Sequence, residues 1–252
     1  MCNRFTLISS PAAISNLFGC SAQTDFPPRY NIAPSQPIAV VWMSEGARRF
    51  ALMRWGLIPS WIKDPRAFPP IYNARGESVL EKPAFRAAMK RRRCLIPADG
   101  FYEWQAGRGS RQPYYVRAKT GAPLAFAGLW ETWVGPDGEE LDGAAIITTA
   151  ANRTLAQIHA RMPVILPTEA FELWLNCAAV DATTAGSLIA PAPEDLLEAY
   201  MISTAVNRVV NDEPGLLRPL AEQDTLHDSP PTRGKARRRV VGKPDDGQQE
   251  LF

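Results

Sequence analysis

The chain has 252 residues, of which 46% are hydrophobic and 21% charged, and its formal net charge is +2. This composition fits a globular protein with a full core, and the charge does not by itself indicate a polyanionic partner. No apolar run approaches the roughly 18 residues of a membrane span, and the first residues lack the pattern of a signal peptide. We therefore expect neither a membrane span nor a signal peptide.

The four cysteines lie at positions 2, 20, 94 and 177 and include no CxxC pair. Their spacing argues against a zinc site and against a dense disulfide framework. We therefore expect no metal, no cofactor and a reduced, intracellular setting.

The first four residues, Met1-Cys2-Asn3-Arg4, offer an unusual reactive group. If Met1 is removed, Cys2 carries a free amine and a thiol on adjacent carbons. Their reference pKa values, about 7.7–8.0 and about 8.5, leave both partly nucleophilic at neutral pH. An aldehyde would condense with the amine, and the sulfur would close a five-membered thiazolidine. Alone the signal is weak, because a cysteine at position 2 is usually an ordinary residue.

The first part of the chain predicts a short helix and then a hairpin. The helix spans Ser10–Gly19, with a serine cap, a proline in its first turn and a glycine stop. A turn-rich loop follows over Phe26–Pro34. The apolar run Ile38–Met43 predicts a buried strand, and Phe50–Trp55 is its expected hairpin partner.

The remaining chain predicts many short strands and few helices. A second loop, Pro69–Glu77, leads into a broken helix that Pro83 restarts. Strands are expected at Cys94–Ala98, Phe101–Gln105, Tyr114–Ala118, Leu124–Trp130, Ala144–Thr149, Pro163–Leu166 and Tyr200–Thr204. A helix is expected over Asn152–Ile158. Another, capped by Thr168, should turn most of its apolar residues inward: Phe171, Leu173, Trp174 and Leu175.

These elements predict a fold of the α+β class, with one mixed domain over residues 1–225 built mainly from short antiparallel strands. Residues 226–252 are predicted to be a disordered, basic tail. Its last residues resemble the Gln-x-x-Leu-Phe peptides that bind the bacterial sliding clamp. The clamp is therefore a predicted partner through Gln248, Leu251 and Phe252, although so short a motif also recurs by chance.

Two segments carry polar residues suited to chemistry. Asn73 can polarise a carbonyl, and Arg75 can hold a phosphate with two hydrogen bonds, although a turn asparagine and a surface arginine are the simpler interpretation. Aromatic residues flank Glu103 and are expected to raise the pKa of its carboxyl, which suits acid–base catalysis. An exposed glutamate on an amphipathic strand explains this pattern equally well.

His159 is the imidazole that the folded body can use, because the only other histidine, His227, lies beside the tail. It could transfer protons near pH 7, and Arg161 could hold an anion beside it. A lone histidine is more often structural than catalytic.

Arginine and tryptophan residues could form a groove that grips phosphates and stacks bases. With a net charge of only +2, such a groove must concentrate basic charge on one face. The candidates are Arg4, Trp55, Trp61, Arg75, Arg86, Arg92 and Arg161.

Seven segments match one known protein family in order and approximate spacing. They are Met1–Phe5, Tyr30–Pro34, Arg54–Pro59, Asn73–Glu77, Arg93–Trp104, Phe126–Trp130 and His159–Pro163. Together they resemble the SRAP (SOS response-associated peptidase) family over about residues 2–220. The sequence departs from the family at Asn3, where glycine is usual.

The resemblance implies a protein of the DNA damage response that binds single-stranded DNA and covalently captures abasic sites. It implies that Cys2 is the nucleophile, that Asn73 orients the sugar or the Cys2 amine, that Glu103 is the acid or base, and that His159 moves protons during sugar ring opening. The implied DNA contacts are Arg4, Asn31, Pro34, Trp55, Trp61, Arg75, Arg86 and Arg161. Weak AP-lyase activity and peptidase autoprocessing before Cys2 are also expected, in a cytoplasmic, nucleoid-associated monomer.

Two alternatives remain open on the sequence. In an N-terminal-nucleophile hydrolase, Cys2, His159 and Asn73 would act as nucleophile, base and orienting group on small amides. A single-strand binder without chemistry would use only stacking and charge, and it would not need Cys2.

Overall fold

Two β-sheets dominate a computed structural model that describes residues 2–20, 25–106 and 111–220. The predicted tail and its clamp-binding motif lie outside the described residues. The strands are β1 Phe5–Leu7, β2 Arg29–Ile32, β3 Pro37–Ser44, β4 Ala47–Trp55, β5 Asn73–Arg75, β6 Arg93–Ala98, β7 Gly100–Ala106, β8 Arg111–Ala118, β9 Leu124–Val134, β10 Glu140–Ala150, β11 Arg161–Pro163 and β12 Leu197–Met201.

The helices are short and lie between the strands. The α-helices are α1 Pro11–Phe18, α2 Pro83–Arg91, α3 Arg153–Ala156, α4 Phe171–Leu175 and α5 Ala182–Gly186. Single 3₁₀ turns occur at Gly76–Ser78, Thr168–Ala170, Thr204–Asn207 and Pro214–Leu217. Within the described ranges, every helix is too short or too polar to cross a lipid bilayer.

One sheet closes into a barrel and the other lies open. Strands β10, β4, β3, β6 and β9 pair in that order, and β9 pairs again with β10. Most pairs are antiparallel, but β4 and β5 both run parallel to β10. The second sheet has the order β12-β8-β7-β1-β2. The predicted α+β fold of mainly antiparallel short strands is confirmed.

Aromatic packing joins the two sheets. Phe5 of β1 meets the Trp55 ring edge-on at 5.1 Å and the Phe126 ring at 6.0 Å between centroids. Phe126 also packs against Phe101 of β7, at 5.9 Å. All four side chains are fully buried. The residues just before β1 are therefore attached to the main core.

The predicted first helix and hairpin are confirmed. Ser10 accepts a hydrogen bond from the backbone N–H of Ala13, and Gly19 ends α1 in the left-handed conformation at φ 61°. Strands β3 and β4 pair along their whole length around a two-residue turn at Glu45 and Gly46, both with positive φ. Such a turn matches the twist of the flanking strands.

Several element predictions were wrong. The segments around Asn31 and Asn73, expected to be loops, form β2 and β5. Two predicted strands begin earlier than expected, as β11 and β12. Thr168 does not cap a helix, because its 3₁₀ turn has no side-chain cap. The prediction that most apolar residues of α4 face inward is confirmed by the buried Phe171, Trp174 and Leu175, while Leu173 is 36% exposed.

Candidate active site

The segment just before β1 carries Cys2, the first residue of the candidate site. In the pairing of β1 with β7, Phe5 lies opposite Phe101, and the Tyr102 N–H donates to the Arg4 carbonyl at 2.9 Å. Cys2 immediately precedes this pairing and is fully buried. Its Sγ lies 4.0 Å from the Arg4 carbonyl oxygen. The sheet therefore fixes the position of the predicted nucleophile.

The surroundings of Cys2 keep its sulfur protonated. Burial raises the pKa of the thiol well above its ordinary value, and the nearby Glu103 carboxylate raises it further. Both effects disfavour a thiolate, because an anion loses solvation on burial and is repelled by a second negative charge. The sulfur is therefore poorly suited to attack as a free thiolate at neutral pH.

Glu103 and His159 form a pair beside Cys2. Nδ1 of His159 lies 3.9 Å from Oε1 of Glu103, whose side chain is 3% exposed. Burial raises the pKa of the Glu103 carboxyl above its usual range, while His159 partly opposes the shift. A raised pKa favours the protonated carboxyl relative to an exposed glutamate, which is the direction that suits a proton donor.

The loop between α3 and β11 sets the orientation of His159. Nδ1 of His159 lies 3.0 Å from the Arg161 backbone nitrogen and 3.2 Å from the Arg161 carbonyl oxygen, so the loop backbone orients the ring. The Arg161 side chain is held in turn by both oxygens of Glu77 and by the Thr148 carbonyl at 2.6 Å. Arg161 thus anchors the histidine loop instead of presenting an unpaired cation.

Asn73 reaches the same site from the barrel. It lies opposite Ile146 in the parallel pairing of β5 with β10, and its Nδ2 donates to Oδ1 of Asn3 at 2.9 Å. Its Oδ1 is buried and accepts no hydrogen bond from any residue that the structure describes. The site therefore contains an acceptor beside the Cys2 segment.

Three of the predicted DNA contacts are built into the protein. Trp55 is fully buried, so its ring cannot stack on a base; instead Nε1 donates to the Tyr72 carbonyl at 2.9 Å. The prediction of direct base contact by Trp55 is corrected accordingly. Asn31 is also fully buried. Arg4 is half-buried and donates to Oδ1 of Asn31 at 2.7 Å and to the Val206 carbonyl at 2.9 Å.

Other predicted contacts face solvent. Trp61 is 61% exposed and meets Phe68 edge-on. Arg75 and Arg86 are exposed, and Pro34 is partly exposed. Across the described ranges, neither arginine has a carboxylate within 4.0 Å. The exposed groups are the ones that remain available to an incoming strand.

Sequence reasoning missed the partners of these residues. Glu77 and Thr148 hold Arg161, and the Asn31 Nδ2 donates to three carbonyls of the segment Val206–Asn211. Glu77 lies within a matching motif, so the motif itself was the available signal. The segment around Val206 gave no comparable signal.

Comparisons with known proteins place the chain among relatives. A family model described as SOS response associated peptidase (SRAP) matches residues 1–209. Abasic site processing protein YoqW of Bacillus subtilis is 40% identical over 221 residues, which cover 86% of this chain and 99% of that relative. Abasic site processing protein HMCES of Rattus norvegicus is 37% identical over 198 residues, which cover 66% of this chain and 56% of that relative.

Solved structures share the fold. A crystal structure of a Bacteroides thetaiotaomicron protein, 24% identical, gives a TM-score of 0.79 over 87% of this chain and all of that one. A phage-related protein of Bordetella bronchiseptica, 31% identical, gives 0.65 over 80% of this chain and 94% of that one.

Proposed function

The chain belongs to the SOS response associated peptidase (SRAP) family, and from this premise we propose that it captures abasic sites in single-stranded DNA covalently through Cys2. Its relatives named as abasic site processing proteins support DNA with abasic sites as the target. The observation that carries the chemical proposal is the cluster of a buried Cys2, the Glu103–His159 pair and the open acceptor of Asn73.

The reaction begins at nitrogen. After Met1 is removed, the Cys2 amine adds to the C1 aldehyde of the ring-opened deoxyribose, and loss of water gives an imine. Glu103, with its raised pKa, donates the proton that lets this hydroxyl leave. The Cys2 S–H then adds across the C=N bond, so that sulfur bonds to C1 and the proton ends on nitrogen. The products are one thiazolidine and one water.

This order of steps suits the protonated thiol. Because burial and Glu103 raise the thiol pKa, the amine is the better first nucleophile, and sulfur attacks only once the electrophile is held beside it. A hydrolase that uses Cys2 as a free thiolate is disfavoured by the same shift. His159 faces Glu103 and moves the proton that sugar ring opening requires.

The open Oδ1 of Asn73 accepts a hydrogen bond from the Cys2 amine or from a sugar hydroxyl. Pro34, Trp61, Arg75 and Arg86 contact the strand directly, since they face solvent. Arg4, Asn31, Trp55 and Arg161 shape the groove by holding the surrounding backbone.

Several further activities follow from the same chemistry. The imine can undergo β-elimination, which gives weak AP-lyase activity, and removal of residues before Cys2 is the peptidase-like step. The protein acts on chromosomal lesions in the SOS response, so we expect it in the cytoplasm at the nucleoid. We also expect a monomer. Sliding-clamp binding through the tail stays a prediction.

The test uses an oligonucleotide with one uracil, converted to an abasic site by uracil glycosylase. Wild-type protein should give a band of reduced mobility on a boiled denaturing gel. Cys2→Ala should abolish it, whereas Cys177→Ala, which removes a partly exposed thiol elsewhere, should not. A normal band from Cys2→Ala, or from protein that mass spectrometry shows to retain Met1, would exclude the mechanism.

A further inference from the structure

The turn before β3 contains a strained serine. The Gln36 N–H donates to the Ala33 carbonyl at 3.2 Å, Pro34 occupies the second position, and Ser35 has φ 73° at the third. Those features are typical of a type II turn, whose third position favours glycine. A side chain there costs conformational energy, which points to a use for the serine hydroxyl.

The turn is fixed to the end of β4, so the hydroxyl has a defined position. The Ser35 N–H donates to the Trp55 carbonyl at 2.8 Å, and the Trp55 N–H donates to the Gln36 carbonyl at 2.9 Å. The Trp55 indole also holds the Tyr72 carbonyl, immediately before Asn73. One buried tryptophan therefore aligns the serine turn with the strand that enters the active site.

Three hydrogen-bond donors converge at this turn. The Ser35 Oγ lies 3.2 Å from the Tyr72 Oη and 3.5 Å from an Nη atom of Arg54. Ser35 is exposed and the other two side chains are partly exposed. No described carboxylate forms a salt bridge with Arg54, whereas Arg29 is paired with Asp212 and Arg161 with Glu77.

We propose that Ser35, Arg54 and Tyr72 form a phosphate subsite for the DNA backbone beside the captured nucleotide. A guanidinium and two hydroxyls suit the non-bridging oxygens of a phosphodiester. The proximity of Tyr72 to Asn73 in the chain puts the subsite next to the reacting sugar. The inference rests on the proposed function and adds residues that hold its substrate.

The first experiment compares Arg54→Ala with Arg49→Ala on the same strand, where the Arg49 side chain is 52% exposed and lies 3.5 Å from Glu45. The affinity is measured over a salt series for single-stranded DNA that carries tetrahydrofuran, an abasic analogue with no aldehyde to capture. Loss of one phosphate contact should reduce the slope of log K against log[salt] by about 0.7 in Arg54→Ala. Arg49→Ala should keep the wild-type slope.

A second arm identifies the phosphate. Single uncharged methylphosphonates are placed in turn on each side of the abasic nucleotide. One position should weaken wild-type binding but have little further effect on Arg54→Ala, because the two changes remove the same contact. In a further sample, inorganic phosphate replaces the salt at the same concentration. Weaker DNA binding in phosphate would show that the site takes any such anion, and unchanged binding would show that it requires DNA.

The third arm uses Ser35→Gly, which removes both the strain and the hydroxyl. We expect a higher melting temperature together with severalfold weaker DNA binding. If wild-type protein forms the adduct but Arg54→Ala retains its salt slope and Ser35→Gly its affinity, the subsite is wrong and the capture mechanism stands. If wild-type protein forms no adduct, the proposed function itself fails.

Discussion

Replacing Glu103 with glutamine should stabilise the fold and impair capture. The Glu103 carboxyl is almost completely buried, and burial is the main cause that raises its pKa. The folded state therefore holds this proton more tightly than the unfolded chain, where a glutamate titrates near about 4.3. Below the unfolded-state pKa the stabilising effect of this proton is fully present. It is lost as the pH rises through the folded-state pKa.

The size of the effect follows from the shift. Each unit by which folding raises the pKa corresponds to about 1.4 kcal/mol of unfolding free energy lost once the carboxyl is ionised. Glutamine has nearly the same shape and no proton to lose. The difference in unfolding free energy between Glu103→Gln and wild type should therefore be larger at pH 8 than at pH 4, by about 1.4 kcal/mol for each unit of the pKa shift.

Urea unfolding at pH 4 and pH 8 measures this difference directly. Glu81→Gln, which changes an exposed carboxylate, is the matched control and should show no such increase. Equal effects of Glu103→Gln at both pH values would refute the assignment of a burial-raised pKa. The rate of adduct formation should fall in the same variant, although it is the more stable protein.

Three further outcomes are expected. Trp55→Phe removes the indole donor of the Tyr72 carbonyl, which keeps the Ile146 N–H, so loss of that one hydrogen bond should lower the unfolding free energy measured in urea by about 0.5–1.5 kcal/mol. Arg161→Lys loses the two-point contact with Glu77, so samples quenched at successive times should show slower adduct formation. Cys2→Ser keeps the amine but not the sulfur, so a DNA adduct should survive only after borohydride reduction; a stable unreduced adduct would contradict thiazolidine closure.

The elements predicted well are those with local signals. Helix α1 is set by Ser10 and Gly19, and the hairpin of β3 and β4 follows from two apolar runs near each other in the chain. Strands β1, β2 and β5 have only three or four residues and pair with distant segments. Because their pairing is non-local, sequence patterns alone classified β2 and β5 as loops.

The candidate site also combines residues that sequence motifs identify with properties that depend on the tertiary structure. Motifs identified Cys2, Asn73, Glu103 and His159, and the chain carries them just before β1, on β5, on β7 and in the loop before β11. They could not reveal that Trp55 is buried, since a tryptophan beside arginines fits either a groove or a core. Burial and ion pairing depend on tertiary contacts that no single segment encodes.

The attachment of β1 to the core has a consequence for turnover of the proposed DNA-linked complex. Residues next to a free N-terminus usually fray, but β1 lies between β2 and β7, and Phe5 packs against barrel aromatics. The backbone amides of β1 should therefore exchange hydrogen with solvent only when the whole domain unfolds. An energy-driven protease clearing a DNA-linked copy would have to unravel the entire domain before it reached the link.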